Sequence, residues 1–233
     1  MPLITNDSWQ QIEKIRNHVI TIFKALTISI IALYPFNKEL YQILAEPLQL
    51  NAGQTIIATK VVSPFTIPIK LCIFCSIIIC MPIILWQLWQ FLRPAMHNNE
   101  KAILRYILLF GTSLFFLGIL FGFEYVLPKT INVFQGLTPK NVVYMPDMEA
   151  YLDFSLSIII AFGFCFQVPV ILISLIKFGV LSVESLAKYR KHVVVACFVI
   201  GMLLTPPDIT SQIMMALPMW ALFELSLLIA RFI

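Results

Sequence analysis

The sequence predicts an all-α integral membrane protein of six transmembrane helices. Three observations carry that reading. Sixty per cent of the 233 residues (60%) are apolar or aromatic, only 12% are charged, and the apolar residues gather into runs of about 20, long enough for a helix to cross the ~30 Å hydrocarbon slab. Ordinary soluble domains carry about 25% charged residues, so a water-soluble class is excluded. The net charge of +4 says little about nucleic acid, and the distribution of charge matters more than its sum.

The first segment follows a polar start, Met1 to Gln11, and covers 17 to 36. It exceeds the apolar core of about 7 to 15 residues in a cleaved signal peptide, so it is expected to remain as a span. Further spans are expected at 65 to 92, 103 to 128, 154 to 177, 192 to 205 and 209 to 230, which makes 1 to 233 a single six-helix membrane domain. The fifth is short: its 14 residues end at Pro206-Pro207, where two missing amide donors stop a helix, and it reaches only ~21 Å. Such a helix lies within a bundle or thins the bilayer beside it. The connections 37 to 64 and 129 to 153 contain Pro47, Gly53, Pro64, Gly136, Pro139 and Pro146 and read as irregular with short helical pieces. No internal repeat of the kind that builds inverted-repeat transporters is seen.

An even number of spans puts both termini on one side. The loops on that side hold Lys14, Arg16, Lys24, Arg93, Lys101, Arg105, Lys177, Lys188, Arg190, Lys191 and Arg231, against Lys38, Lys60, Lys70, Lys129 and Lys140 on the other. Cationic loops resist translocation, so both termini are expected in the cytoplasm. Glu39, Glu46, Asp147, Glu149 and Asp153 then count as exposed acids of the outer loops.

Catalytic signatures are missing. There is no GxSxG, GxxxxGKS or HExxH, and His18, His97 and His192 are scattered, so neither hydrolysis nor ATP-driven transport by this chain is supported and no cofactor or metal is implied. Cys72, Cys75, Cys80, Cys165 and Cys197 all fall in apolar segments, where a thiol packs as a small hydrophobe. The Cys72-x-x-Cys75 pair has no second ligand pair and reads as packing.

Polar groups inside a membrane are costly and therefore informative. Glu124, one turn before Pro128, reads as an interfacial side chain that snorkels. Gln167 lies near the middle of the fourth span and requires a partner, either in an interhelical hydrogen bond or at a polar site for another helix or cargo. Glu224 precedes Arg231 by two turns on a similar face, and Asp208 can cap the last helix. Gly111, Gly118 and Gly122 form a smooth strip that suits close helix packing. Glu100 is the lone carboxylate among Arg93, Lys101 and Arg105. It reads either as a surface salt bridge or as a docking point that grips a guanidinium in a bidentate pair.

Four blocks together resemble the TatC family in order and spacing. They are Ser63-Pro64-Phe65; Trp86-Gln87-Leu88-Trp89-Gln90-Phe91-Leu92-Arg93-Pro94-Ala95 with Glu100; Phe162-Gly163-Phe164-Cys165-Phe166-Gln167-Val168-Pro169-Val170; and Gly201-Met202-Leu203-Leu204-Thr205-Pro206-Pro207-Asp208 with Ser211-Gln212. The resemblance implies a concave bundle with short fifth and sixth helices. It also implies a non-enzymatic subunit of the twin-arginine export system that binds the signal peptides of folded cargo and recruits the single-span proteins TatA and TatB, driven by the proton motive force. By matching positions it assigns signal binding to Phe91 and Glu100 with Glu13 and Arg16 of the N-terminal arm, and a polar position on the bundle to Gln167. Partner docking falls to Met202, Thr205 and Gln212, and translocation-related outer positions to Pro47 and Asp208. The arm departs from the family pattern: Lys14 stands where a second acid is expected, so either Glu13 substitutes or Glu100 acts largely alone. The implied location is the bacterial cytoplasmic membrane, in an oligomeric complex. The competing reading is a small-solute transporter or channel with Gln167, Glu224 and Glu124 along its pathway.

Overall fold

A computed structural model describes residues 6–52, 57–92, 101–139, 145–204 and 209–231. Among them the regular structure is helical apart from one isolated parallel β-bridge between Ile57 and Asp147, with short turns and irregular stretches between the helices. The helices are α1 (Asn6–Leu33), α2 (Asn37–Ala52), α3 (Ser63–Leu92), α4 (Lys101–Phe121), α5 (Leu127–Leu137), α6 (Met148–Cys165), α7 (Gln167–Lys177), α8 (Val183–Lys188), α9 (Arg190–Leu204) and α10 (Ile209–Ala230). Five stretches, Arg16–Glu46, Ser63–Leu88, Ile107–Leu137, Met148–Lys177 and Ile209–Ala230, are long and apolar enough to cross a membrane. The sixth apolar helix is α9, whose 15 residues reach only ~22 Å; it and the 22-residue α10 are the two shortest of the six.

Prolines set the helix interruptions. Pro169 has no amide hydrogen for the carbonyl of Cys165, and α6 ends at Cys165 with a single turn residue, Phe166, before α7 begins. Pro128 withdraws the donor from Glu124 in the same way, and there the chain widens into a π-helical segment, Gly122–Val126, that lets α4 run on into α5. The expected third span, 103 to 128, thus continues as helix to Leu137. The connection expected to be irregular from 37 onward forms α2, which runs through Pro47. Gly179, at a φ of 69°, closes α7: the amides of Gly179 and Val180 turn back to the carbonyls of Ile176 and Leu175.

Two compact units make up the chain, Met1–Tyr41 with Phe65–Thr112 and Gln42–Pro64 with Ser113–Ile233. In the first, Ser29 Oγ lies 3.2 Å from Cys80 Sγ, joining α1 to α3, while Phe23, Ile28 and Ile31 point outward, as side chains facing acyl chains do. In the second, Val126, Leu127, Ile131, Tyr151, Ile158, Phe162, Phe166, Cys197, Met215, Ala216 and Met219 form the core. Two glycines of the strip, Gly118 and Gly122, have their expected use here. A Cβ on Gly118 would lie 2.6 Å from the carbonyl oxygen of Phe162, and one on Gly122 3.3 Å from Cβ of Phe162. Gly163 of α6 in turn accommodates the ring of Phe115, so α4 and α6 approach as closely as their backbones allow.

Candidate functional site

Of the residues expected to bind a signal, Glu13, Arg16 and Phe91 lie in the first unit. His18 Nδ1 donates to Gln87 Oε1, joining the early part of α1 to the last turns of α3. Residues four apart share a helix face, so the bond fixes the helix one turn before Phe91. Phe91 is placed by its backbone within α3, its side chain outside the described residues, and Glu100 lies wholly outside them. On α1, Glu13 and Arg16 pair with each other at 3.6 Å, both about two-thirds exposed (65% and 67%). That pair is worth at most about 1 kcal/mol. His18, one of three histidines that seemed scattered, is the residue sequence reasoning missed. Its partner is 69 positions away, a distance at which no local signal operates.

Gln167 is 5% exposed and opens α7 immediately after the break that Pro169 imposes. A buried amide there accords with a hydrogen bond inside the bundle, and α7 packs on α10. Of the other polar residues that a solute pathway would use, Glu224 is 3.0 Å from Arg190. Arg190, not Arg231, is its partner. Glu124 is exposed in the π-helical segment, as a snorkelling side chain would be.

Of the positions expected to dock partners, Met202 is half exposed at 50%, and Gln212 is turned toward α9, donating from Nε2 to the carbonyl oxygen of Phe198 at 3.0 Å. Gly201 makes room for this, since a Cβ there would sit 3.2 Å from the Gln212 carbonyl. Thr205 and Asp208 lie outside the described residues, so the expected cap by Asp208 does too. The side chain of Pro47 is likewise not described.

The second unit contains a polar clasp between sequence-distant segments. Asp147 caps α6, its Oδ2 accepting from the amides of Glu149 and Ala150 at 3.1 Å each. Its Oδ1 accepts from the Thr59 hydroxyl at 2.6 Å and the Thr59 amide at 3.0 Å. The Thr59 hydroxyl, followed by the amides, holds the Asp147 carboxyl down at about 2, because each donor favours the charged form. Glu149 Oε2 takes Lys60 at 3.1 Å and the Ser63 hydroxyl at 3.1 Å, and the Tyr151 hydroxyl donates to the carbonyl oxygen of Leu44 at 2.9 Å. Asp147 and Glu149, expected as exposed acids, are instead structural acceptors, and the Glu149 side chain is only 16% exposed. Ser63, the first residue of the first family block, opens α3 with its hydroxyl committed to that carboxylate. Among the described residues no cluster of side chains suits a metal ion, and all five cysteines are free thiols.

Comparison with known proteins decides the family. The model of the Sec-independent protein translocase protein TatC matches residues 10–218. The chain belongs to the TatC family. The Haemophilus influenzae Sec-independent protein translocase protein TatC is 39% identical over 99% of this chain and 89% of its own length, and that of Escherichia coli K12 is 37% identical over 99% and 88%. Two crystal structures of the twin-arginine translocase receptor TatC superpose with TM-scores of 0.86 and 0.87. They are 32% and 33% identical and cover 95% and 94% of this chain and 98% and 99% of theirs. The protein is therefore an all-α membrane protein of six transmembrane helices and a subunit of the twin-arginine translocase, a transport component rather than an enzyme. That membership sets aside the solute-channel reading.

Proposed function

We propose that this chain is the signal receptor and assembly subunit of its translocase. It binds the twin-arginine signal peptides of folded precursors, recruits the single-span TatA and TatB, and works on the proton motive force, since its sequence has no nucleotide site. The observation that carries the reading is the match along nearly the whole chain to structures of a twin-arginine translocase receptor.

In this reading residues 1–233 act as one membrane domain in the bacterial cytoplasmic membrane, with both termini in the cytoplasm, where basic loops are retained. Glu100 grips the paired guanidinium groups, because a carboxylate takes arginine in a two-point bond that lysine cannot reproduce. Phe91 and the Glu13–Arg16 turn flank it, with α1 and α3 held in register by the His18–Gln87 bond. Met202, Thr205 and Gln212 receive the single-span partners, and Pro47 and Asp208 act at the outer side during translocation.

Export of a twin-arginine reporter in cells lacking their own receptor, with this chain supplied alongside its own TatA and TatB, tests the reading. Restored export is expected. A chain that inserts and accumulates normally yet restores none would overturn it.

A further inference from the structure

Helix α1 has two unlike sides. The side toward α3 carries His18, which meets Gln87, and Ser29, which meets Cys80, with half-buried Ile22 and Ala25 between them at helical spacing. The other side carries Asn17, Ile20, Lys24, Ile28 and Ile31, all exposed. Their steps of three, four, four and three residues give the 3.5-residue period of a seam on which another helix packs at a shallow angle. Thr21 and Thr27 flank Lys24, and their hydroxyls turn back onto the carbonyl oxygens of Asn17 and Phe23 at 2.9 and 2.8 Å. Small residues whose donors are already used let a neighbouring helix come close.

Lys24 stands in the middle of this seam. It is the only lysine, arginine or carboxylate between Arg16 and Lys38, and it lies seven residues past Asn17, about 10 Å into the apolar stretch. Its stem leans toward the helix N-terminus and recovers part of that depth. Among the described residues no hydrogen bond or ion pair meets its ammonium. A charge at that level is costly in lipid, and membrane helices that keep one set it against an opposite charge.

We propose that this side of α1 is a docking seam for a membrane helix of another chain that presents a carboxylate at the level of Lys24. The acid takes the ammonium, while Ile20, Ile28 and Ile31 supply apolar contact before and after it. A lone charge on an apolar seam selects the partner and fixes its register. A second copy does not fit the seam. Packing α1 on α1 would oppose two Lys24 ammoniums, Glu224 is already held by Arg190, and Glu39, Glu46, Glu124 and Asp153 stand by the outer loops of the six-span topology. An anionic lipid fits less well, because its headgroup stays at the membrane surface and leaves the Ile28–Ile31 half of the seam unread. The seam lies in the other compact unit from α9 and α10, and the inference is independent of the docking positions proposed there.

Synthetic single-span helices test the seam. The full chain is placed in phosphatidylcholine nanodiscs with dansyl-labelled leucine–alanine peptides of about 20 residues that carry one Glu or one Lys at the depth of Lys24. Energy transfer from the native tryptophans is titrated. The Glu peptide is expected to bind roughly tenfold more tightly than the Lys peptide, the scale of one interhelical polar pair. Lys24→Leu is expected to remove the difference, and Lys24→Glu to reverse it in favour of the Lys peptide. In cell membranes, a photo-crosslinker in place of Ile28 is expected to yield an adduct with a chain whose membrane helix has an acid in the matching half, and Lys24→Leu to diminish that adduct. Equal binding of the two peptides, a preference that survives Lys24→Leu, or adducts at position 28 with lipid or a second copy alone would each overturn the proposal.

Discussion

Replacing Gly118 by alanine inserts a methyl group where the α4–α6 contact has no room. The new Cβ would stand 2.6 Å from the carbonyl oxygen of Phe162 and 2.9 Å from Cβ and Cγ of Phe166. The nearest of these is backbone, so relief requires the helices to separate. Because the nearest clash is with backbone, which cannot rotate away, overpacking here falls in the upper part of the usual range, about 2–3 kcal/mol, offset by about 1 kcal/mol from the better helix propensity of alanine. A net loss of about 1–2 kcal/mol follows, roughly a five- to thirtyfold fall in the folded-to-unfolded ratio. Gly136→Ala is the internal control, since a Cβ there meets nothing within 4 Å, and a gain of about 0.5–1 kcal/mol is expected. Denaturant titration of the purified variants in detergent, followed by circular dichroism, measures both. If Gly118→Ala proves as stable as the parent while Gly136→Ala behaves as stated, the close α4–α6 approach is refuted.

Three further outcomes are expected. Asp147→Ala releases Thr59 and the first amides of α6, so hydrogen exchange at the Ile57 and Met148 amides, which bond to Pro146 and Ile57 carbonyls, should accelerate. In the parent the carboxyl is depressed to about 2; the contribution of the clasp should therefore be full above the ordinary carboxylate range and be lost progressively as pH falls through that range to about 2. Arg190→Glu and Glu224→Arg should each destabilise, while the double reversal recovers about 1 kcal/mol relative to their sum in a double-mutant cycle. Gln212→Leu, which removes the bond to the Phe198 carbonyl, should cost about 1 kcal/mol in detergent unfolding, whereas the exposed Met202→Ala should leave stability unchanged and reduce co-purification of the single-span partners.

Hydropathy made the helices legible because a ~30 Å slab demands about 20 apolar residues per span whatever packs beside them. Their interruptions were harder to read. Pro169 breaks the fourth span and Pro128 does not break the third, because a π-helical segment absorbs the missing donor, a choice made by packing rather than by the proline itself. The glycine strip was legible since its spacing is local. The pairings His18–Gln87, Thr59–Asp147 and Arg190–Glu224 span 69, 88 and 34 positions of sequence, and only the folded chain brings such residues together. Within the candidate site, the family resemblance singled out Phe91, Gln167, Met202 and Gln212 as expectations, and residue order alone did not distinguish the buried Gln167 from the half-exposed Met202.

Binding of a twin-arginine signal peptide to the purified chain, compared with its twin-lysine counterpart, tests receptor function most directly. Roughly tenfold or greater discrimination, about 1.4 kcal/mol, is expected in the parent and its loss in Glu100→Ala and Glu100→Arg, with an arginine-proximal photo-crosslinker attaching at position 100. Equal affinity for the two peptides, or discrimination that survives both substitutions, would contradict recognition by Glu100.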